Sequence, residues 1–399
     1  MSGPLPPTAF QRRANAGLIA AFFIFLWLPA ADTFLHLDRT PSPNENRAPA
    51  PFPKFKPDFA AMHDYVSGIE AYFSDHFGFR RRLVAWGHHW KWQWFRTSKS
   101  NSVFVGKCGW LFFSGGLTID DVLGNSPFSD RELEAWRDLL QGRSDWLAQR
   151  GIRYLFVIPP DKHTIYPEHL PDWLGSARRP PHRLDQFVAY MKAHTTVPIL
   201  DLRRTLLDAK KDGRVYLQTD THWNELGAFH ACRRIVEQAA ALGMDVKPVE
   251  LTAFQVSTKD EASGDLAMML GRQSTMIEMD MVTLSQKPPL PVLEASIASD
   301  FASKKWFFGV EPRITNNPAA RGRVVMFRDS FATSLSRFLG YSFARVAYVW
   351  EQNWDKRIIE SEKPDLVVDE MLERFLITRD PLELKKKDED PNAQLFGGR

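Results

Sequence analysis

Cysteine is almost missing from this chain: 399 residues carry two, Cys108 and Cys232. One disulfide is the most they can form, so no disulfide framework holds the fold, and neither cysteine stands in a zinc-type or redox spacing. They either pair with each other or remain two buried thiols. Excess charge of one sign is missing too. Lys and Arg number 51 against 48 Asp and Glu, a net charge of +3. No basic stripe interleaved with aromatics is present, so nothing argues for nucleic acid. Internal repeats and low-complexity blocks are also absent. What remains is an ordinary globular composition, 44% hydrophobic and 25% charged. It suffices for one large core or two smaller ones plus a terminal appendage. The 13 Trp and 29 Phe stand out. Most of them pack cores, while exposed ones form platforms on which sugar rings stack.

Long apolar runs are confined to one place. Arg12 and Arg13 precede a run from Ala16 to Ala31. That run is short for a spanning helix and becomes adequate if Leu35 and Leu37 extend it. Basic residues before it and few after it favour a cytoplasmic amino terminus and an exported remainder. Residues 1–38 are therefore expected to form a cytoplasmic terminus and a signal-anchor helix. A cleaved signal ending near Pro29-Ala-Ala31 is the alternative. Residues 39–57, rich in proline, read as an extended spacer. The folded domain is expected over 58–380, with a weakly patterned insertion at about 247–321. Lys385 to Asp390 lies in a tail, 381–399, expected to be charged and flexible.

Within the domain, Phe59–Trp94 reads as an amphipathic helix with Ile69, Tyr72, Phe73, Phe77 and Phe79 as anchors. Phe104–Phe113 is strand-like, and Ser129 or Asp130 caps a helix running to about Arg150. Short apolar runs then alternate with helices. Strands are expected at Tyr154–Ile158, Val197–Leu202, Val215–Leu217, Val324–Phe327, Val346–Val349 and Leu366–Asp369. Helices are expected at His182–His194 and from Trp223 to about Leu242. This alternation predicts an α/β fold with a parallel sheet flanked by helices on both faces. In such sheets a ligand site lies beyond the carboxyl ends of the strands.

Two segments carry chemistry to those ends. In Tyr216-Leu-Gln-Thr-Asp-Thr-His-Trp-Asn-Glu-Leu-Gly227, Asp220 and His222 stand two apart, so in extended chain both side chains point the same way. In Arg323-Val-Val-Met-Phe-Arg-Asp-Ser-Phe-Ala332, Ser330 follows a strand and opens a helix expected over Phe331–Leu339. Asp to orient, His to take a proton and Ser to attack are the parts of a nucleophilic triad. Each also has a plainer reading. Asp329-Ser330 can simply cap a helix, and a His beside an Asp is common on surfaces. A cap and an oxyanion site share the same exposed N–H groups and dipole end. His222 and His230 are too far apart to ligate one metal and no third ligand cluster follows, so no metal is assigned. Lys162, just past a strand end, either holds an anionic or hydroxyl-rich ligand or forms a surface ion pair. Arg374 after the last strand reads the same way, and Trp223 holds the His222 loop. His163, His169, His88 and His89 lack partner patterns.

These residues give the chain its resemblance. Asp220-Thr-His-Trp223, Asp329-Ser-Phe331, Val157-Ile-Pro-Pro-Asp-Lys162 with Tyr166-Pro167, Gly109-Trp-Leu-Phe112 and Gly264-Asp-Leu266 stand in an order similar to the AlgJ and AlgX type alginate O-acetyltransferases. Those proteins are relatives of the SGNH hydrolases. The likeness spans roughly residues 60–375. It implies an SGNH-like sheet with permuted motif order, because Asp220 and His222 precede Ser330. Arg328 departs from the pattern, standing where a glycine is frequent, and a long side chain there either contacts an anionic sugar or crowds the site. The resemblance implies an acetyl-Ser330 intermediate, with His222 held by Asp220, and a polysaccharide hydroxyl as acceptor. It further implies no cofactor, an AlgI-like membrane-bound O-acyltransferase as donor partner, and an inner-membrane protein with its catalytic domain in the periplasm. Two other readings remain: an esterase or deacetylase using the same triad, and a non-catalytic glycan-binding assembly subunit. The polymer is left open.

Overall fold

The computed structural model describes residues 9–35, 50–54, 61–79, 102–261, 263–286, 293–295, 301, 306 and 309–389. The chain divides into two compact units, Met1–Lys99 and Ser100–Arg399. The domain start expected at residue 58 thus falls inside the first unit.

In the first unit a helix spans Ala9–Leu35 with Pro29 inside it. The Asp32 carboxylate accepts the Phe79 N–H at 2.7 Å, tying that helix to the chain just beyond a second helix, Ala61–His76. Tyr72 packs edge-on against Phe52 and stacks on His76, whereas Phe73 and Phe77 are exposed rather than anchoring. No described helix is long and apolar enough to cross a membrane; of residues 1–38, where an anchor is expected, the structure describes the Ala9–Leu35 helix. Most of the 39–57 spacer, the rest of the helix expected up to Trp94, and His88 and His89 lie outside the described residues.

The second unit is built on a sheet of seven strands. In chain order the strands of this unit are β1 Val103–Val105, β2 Leu111–Phe113, β3 Arg153–Ile158, β4 Ile199–Asp201, β5 Phe254–Glu261, β6 Glu278–Gln286, β7 Leu293–Ala295, β8 Arg313–Asn316, β9 Arg321–Phe327, β10 Phe343–Val349 and β11 Leu366–Glu370. The main sheet runs β4-β3-β11-β9-β10-β8-β7. Its first five strands are parallel, as expected. The last two are antiparallel, so the sheet is mixed. The segment expected to be an insertion supplies this edge, together with the separate β5–β6 ribbon.

Alternation along each strand divides the apolar side chains between two cores. Leu155, Val157, Val324, Met326, Val346, Tyr348 and Val368 face the Glu225–Ala241 helix. Tyr154, Phe156, Ile158, Val325, Phe327, Ala347, Val349 and Val367 face the other side, with the Asp130–Ala148 and Arg183–His194 helices. Ser129 caps the first of those helices through a reciprocal bond with Glu132, an arrangement that contributes about 1 kcal/mol.

Four expectations need correcting. Val215–Leu217 is not a sheet strand; its backbone bonds locally, Leu217 N–H to His222 O at 3.0 Å and Asn224 N–H to Val215 O at 3.0 Å. The helix after Ser330 shrinks to Ala332–Leu335. Both cysteines are free thiols, and Cys108 is exposed rather than buried. The charged tail is ordered through Glu389, because Pro381–Glu389 is a helix whose Leu384 and Asp388 are buried. Asp388 accepts from Arg143 Nε at 2.8 Å and from Trp354 N–H at 2.7 Å. A solvated tail would have left Arg143, itself buried, with Asp369 as its only carboxylate.

Candidate active site

The Asp220–His222 segment has no regular secondary structure to hold it. The single bridge Tyr216–Trp223 closes it into a loop, and groups from four directions then fix it. Lys162 Nζ, beyond the end of β3, donates to three carbonyls of the loop: Leu217 O at 3.0 Å, Gln218 O at 3.2 Å and Asp220 O at 2.5 Å. Lys162 is 2% exposed, so it neither contacts a ligand nor forms a surface ion pair, the two roles expected for it. Burial pushes its ammonium down to about 7, against the pull of Asp220, Glu278 and Asp265. From β6, the Glu278 carboxylate accepts Gln218 N–H at 2.7 Å and both donors of Thr219, at 2.8 and 2.7 Å. From the β1–β2 hairpin, Leu111 N–H bonds Gln218 O at 3.0 Å, which places the Gly109–Phe112 motif against the loop. The fourth direction is Gly264-Asp265.

Held in this way, Asp220 Oδ1 lies 2.6 Å from His222 Nδ1 and accepts the His222 backbone N–H at 2.9 Å. Burial alone would raise the Asp220 carboxyl. The bond and charge of His222 and the N–H of Asp265 overcome that and hold it well below the usual carboxylate range. An ionised carboxylate can only accept, so the imidazole proton sits on Nδ1 and Nε2 is left as the base. Nε2 is 2.8 Å from Ser330 Oγ. The structure thus brings together the three residues expected to act jointly.

Ser330 stands on the turn leaving β9, and buried carboxyl groups lock that turn. Asp329 accepts Phe331 N–H at 2.9 Å and Leu372 N–H at 2.8 Å. Glu370, at the end of the adjacent β11, accepts Asp329 N–H at 2.9 Å. Burial raises both carboxyls, Glu370 well above its usual range with the Asp329 charge adding to the effect. Two backbone N–H groups pull Asp329 back down, whereas Glu370 is held the higher of the pair. Phe331 N–H is therefore occupied within the turn. Arg328 is buried, and its Nη1 donates to Asp329 O and Thr333 Oγ1, both at 3.0 Å, with the guanidinium over the Trp350 ring. The long side chain in the glycine-favoured position thus braces the turn instead of crowding it.

Trp223 joins the two halves. Its Nε1–H donates to Phe331 O at 3.0 Å, linking the residue after the base to the residue after the nucleophile. Arg374 lies over the Phe331 ring, paired with Asp161 at 2.5 Å. His163 is buried with neither ring nitrogen bonded, and burial pushes it down to about 4. Ligand atoms of Asp220, His222 and Asp265 lie within 4.8 Å of one another, but the Nδ1 proton shared with Asp220 occupies the nitrogen such a metal would need. Reading residues alone misses Glu278 and Glu370; Thr221 and Asp265 were visible only inside the Asp220-Thr-His-Trp223 and Gly264-Asp-Leu266 motifs.

This α/β fold, with Ser, His and Asp hydrogen-bonded at the ends of its parallel strands, has the SGNH hydrolase-like architecture. Residues 103–302 match the family described as SGNH hydrolase-like domain, acetyltransferase AlgX, and the chain belongs to that acetyltransferase family. The match contains Asp220, His222 and Asp265 and ends before Ser330. The chain is 30% identical over 173 residues to the probable alginate O-acetylase AlgJ of Pseudomonas aeruginosa, covering 42% of this chain and 41% of that protein. It is 31% identical over 172 residues to the probable alginate O-acetylase AlgJ of Pseudomonas syringae pv. tomato, with the same coverage. The matched region thus spans about two fifths of those relatives' length. Among solved structures, a DHHW family protein from Eubacterium siraeum superposes with a TM-score of 0.52 at 14% identity, covering 72% of this chain and 96% of that one. That likeness concerns the fold alone.

Proposed function

We propose that the chain transfers acetyl groups to hydroxyls of an exported bacterial polysaccharide, alginate or a related polymer, through an acetyl-Ser330 intermediate. The observation that carries this reading is the unbroken line Asp220 Oδ1–His222 Nδ1, His222 Nε2–Ser330 Oγ, with separations of 2.6 and 2.8 Å. In the first step His222 Nε2 takes the Ser330 hydroxyl proton as Oγ attacks the donor carbonyl. The tetrahedral oxyanion is stabilised by the Ser330 N–H. Collapse breaks the donor's acyl bond, and the proton on Nε2 goes to the leaving group. In the second step the sugar hydroxyl gives its proton to Nε2 and attacks acetyl-Ser330, and the second collapse returns that proton to Ser330 Oγ. Asp220 stabilises the imidazolium in both steps without taking its proton. No cofactor enters this scheme.

The proposed setting is the periplasm, with the Ala16–Ala31 run acting as tether or removed leader and a membrane-bound O-acyltransferase supplying acetyl. This part rests on Arg12 and Arg13 before the run and on the family resemblance set out in the sequence analysis. The test uses the purified full chain and its Ser330→Ala variant with an activated acetyl ester and a panel of acidic and neutral oligosaccharides. Serine-dependent acetylation of a sugar, with acetyl on Ser330 seen by mass spectrometry, is the expected result. Serine-dependent ester loss to water alone would make the protein an esterase. Equal behaviour of both proteins would leave a glycan-binding subunit.

A further inference from the structure

Gly264-Asp265 has no step of its own in that scheme, yet its backbone bonds directly to the Asp220 carboxylate. We propose that Asp265 is a positioning residue for the acyl transfer, a second carboxylate whose hydrogen bonds hold Asp220 and Thr221 in place beneath the His222 ring. The inference rests on the triad reading above and adds to it.

The Asp265 backbone N–H donates to Asp220 Oδ2 at 2.9 Å, fixing the carboxylate oxygen that His222 does not use. The Asp265 side chain then turns back onto the loop. Oδ1 accepts Thr221 N–H at 2.7 Å, and Oδ2 accepts the Thr221 hydroxyl at 2.6 Å. Thr221 lies between Asp220 and His222 in the chain, so these two bonds set the backbone that carries both. With its proton committed to Asp265, the Thr221 oxygen is left as an acceptor 3.2 Å from His222 Nδ1. It supports the same tautomer that Asp220 selects. Residue 264 makes the approach possible. A Cβ there would lie 2.3 Å from Asp220 Cβ and 2.6 Å from Asp220 Cα, so no residue other than glycine fits without moving Asp220. Gly264 N–H to Thr219 Oγ1 at 3.0 Å and Ala267 N–H to Thr219 O at 3.1 Å continue the clamp along the loop.

Charge is the smaller part of this action. Asp265 Oδ2 is 3.9 Å from His222 Nδ1, and the Asp265 side chain is 33% exposed, so solvent screens much of that attraction. The bonds act through geometry, where a displacement of about 1 Å costs about 100-fold in rate. A variant that keeps the bonds and removes the charge should therefore keep most of the activity.

The experiment compares kcat and KM for acetyl-ester turnover, thermal midpoint and the rate of Ser330 labelling by a sulfonyl fluoride in five full-length proteins. These are wild type, Ser330→Ala, Asp265→Ala, Asp265→Asn and Gly264→Ala. Asp265→Ala is expected to lower kcat and labelling about 30- to 100-fold with KM within about twofold. In Asp265→Asn the amide oxygen still accepts Thr221 N–H and its NH2 can donate to the Thr221 hydroxyl, so kcat should recover to within about fivefold of wild type. Gly264→Ala should lose at least as much as Asp265→Ala. Wild-type kcat in Asp265→Ala, or an Asn variant no better than Ala, overturns the inference. Should Asp265→Ala not fold, Asp265→Asn and Gly264→Ala still decide, since an inactive Asn variant or a fully active Gly264→Ala contradicts the clamp. Ser330→Ala separates the two readings. Full turnover there removes the triad itself, whereas an inactive Ser330→Ala beside a fully active Asp265→Ala removes this inference alone.

Discussion

The two halves of the site are held by opposite means. The nucleophile turn grows directly out of β9 and is pinned to the end of β11, so the sheet itself supplies its rigidity through Asp329, Glu370 and Leu372. The base loop has only one bridge of regular structure and depends on side chains reaching in: Lys162 from one side, Glu278 and Asp265 from others. A turn anchored in a sheet can be disturbed only by disturbing the core. A loop held by charged side chains can slacken while the core stays intact. Damage to the first should therefore appear mainly as lost stability, and damage to the second mainly as lost rate.

The sharpest break in that comparison comes from the base side. Asp220→Asn keeps the shape and removes the acceptor that selects the Nδ1 tautomer, so kcat should fall by about 10³- to 10⁴-fold; urea titration near pH 7 should also find some stability lost, because a carboxyl held low in the fold stabilises it when ionised. Lys162→Met comes next. It leaves three carbonyls unserved, yet it also removes the cost of burying an ammonium, so stability should change by only about 1 kcal/mol while kcat drops about 10- to 100-fold. On the nucleophile side, Asp329→Asn puts an amide NH2 against one of two backbone N–H groups. Unfolding should become easier by about 1–3 kcal/mol, with kcat down no more than about tenfold. A rate loss there exceeding that of Lys162→Met would reverse the assignment of roles.

The pH dependence of stability tests the same lysine. In the folded protein Lys162 sits at about 7, below its ordinary 10.5. Between those values the unfolded chain holds a proton that the native chain has released. The linkage relation then makes stability rise with pH across that window for this group, and the full penalty is present below about pH 7. Urea midpoints of wild type and Lys162→Met, compared near pH 7 and near pH 10, should show wild type gaining on the variant as pH rises. Parallel pH profiles would mean that the ammonium is not paying a burial penalty.

The same contrast explains what could be read in the chain beforehand. β3, β9, β10 and β11 are continuous apolar runs, and a strand buried on both faces announces itself in that way. The Asp220–His222 spacing and Ser330 after its strand were legible for a related reason, since each is a local pattern with a chemical meaning. Tyr216 misled, because an apolar triplet that packs in a core as a loop looks like one that packs as a strand. The antiparallel edge of β7 and β8 carried no signal, being short and drawn from a mixed sequence. Glu278 and Glu370 were invisible, because each acts on a backbone N–H far away along the chain, and acidic residues among apolar neighbours look unremarkable. Lys385 to Asp390 looked like solvated charge because the partner of Asp388 is Arg143.

That partnership bears on how the chain folds as it is made. Arg143 precedes Asp388 by 245 residues, so the guanidinium on the Asp130–Ala148 helix leaves the ribosome long before one of its two carboxylates exists. Until the last helix emerges, docking that helix onto the sheet would bury a cation with half its neutralising charge. Closure of this face therefore waits until Asp388 has been made, and a chain stalled or cut before residue 388 should stay open to proteases around the Asp130–Ala148 helix.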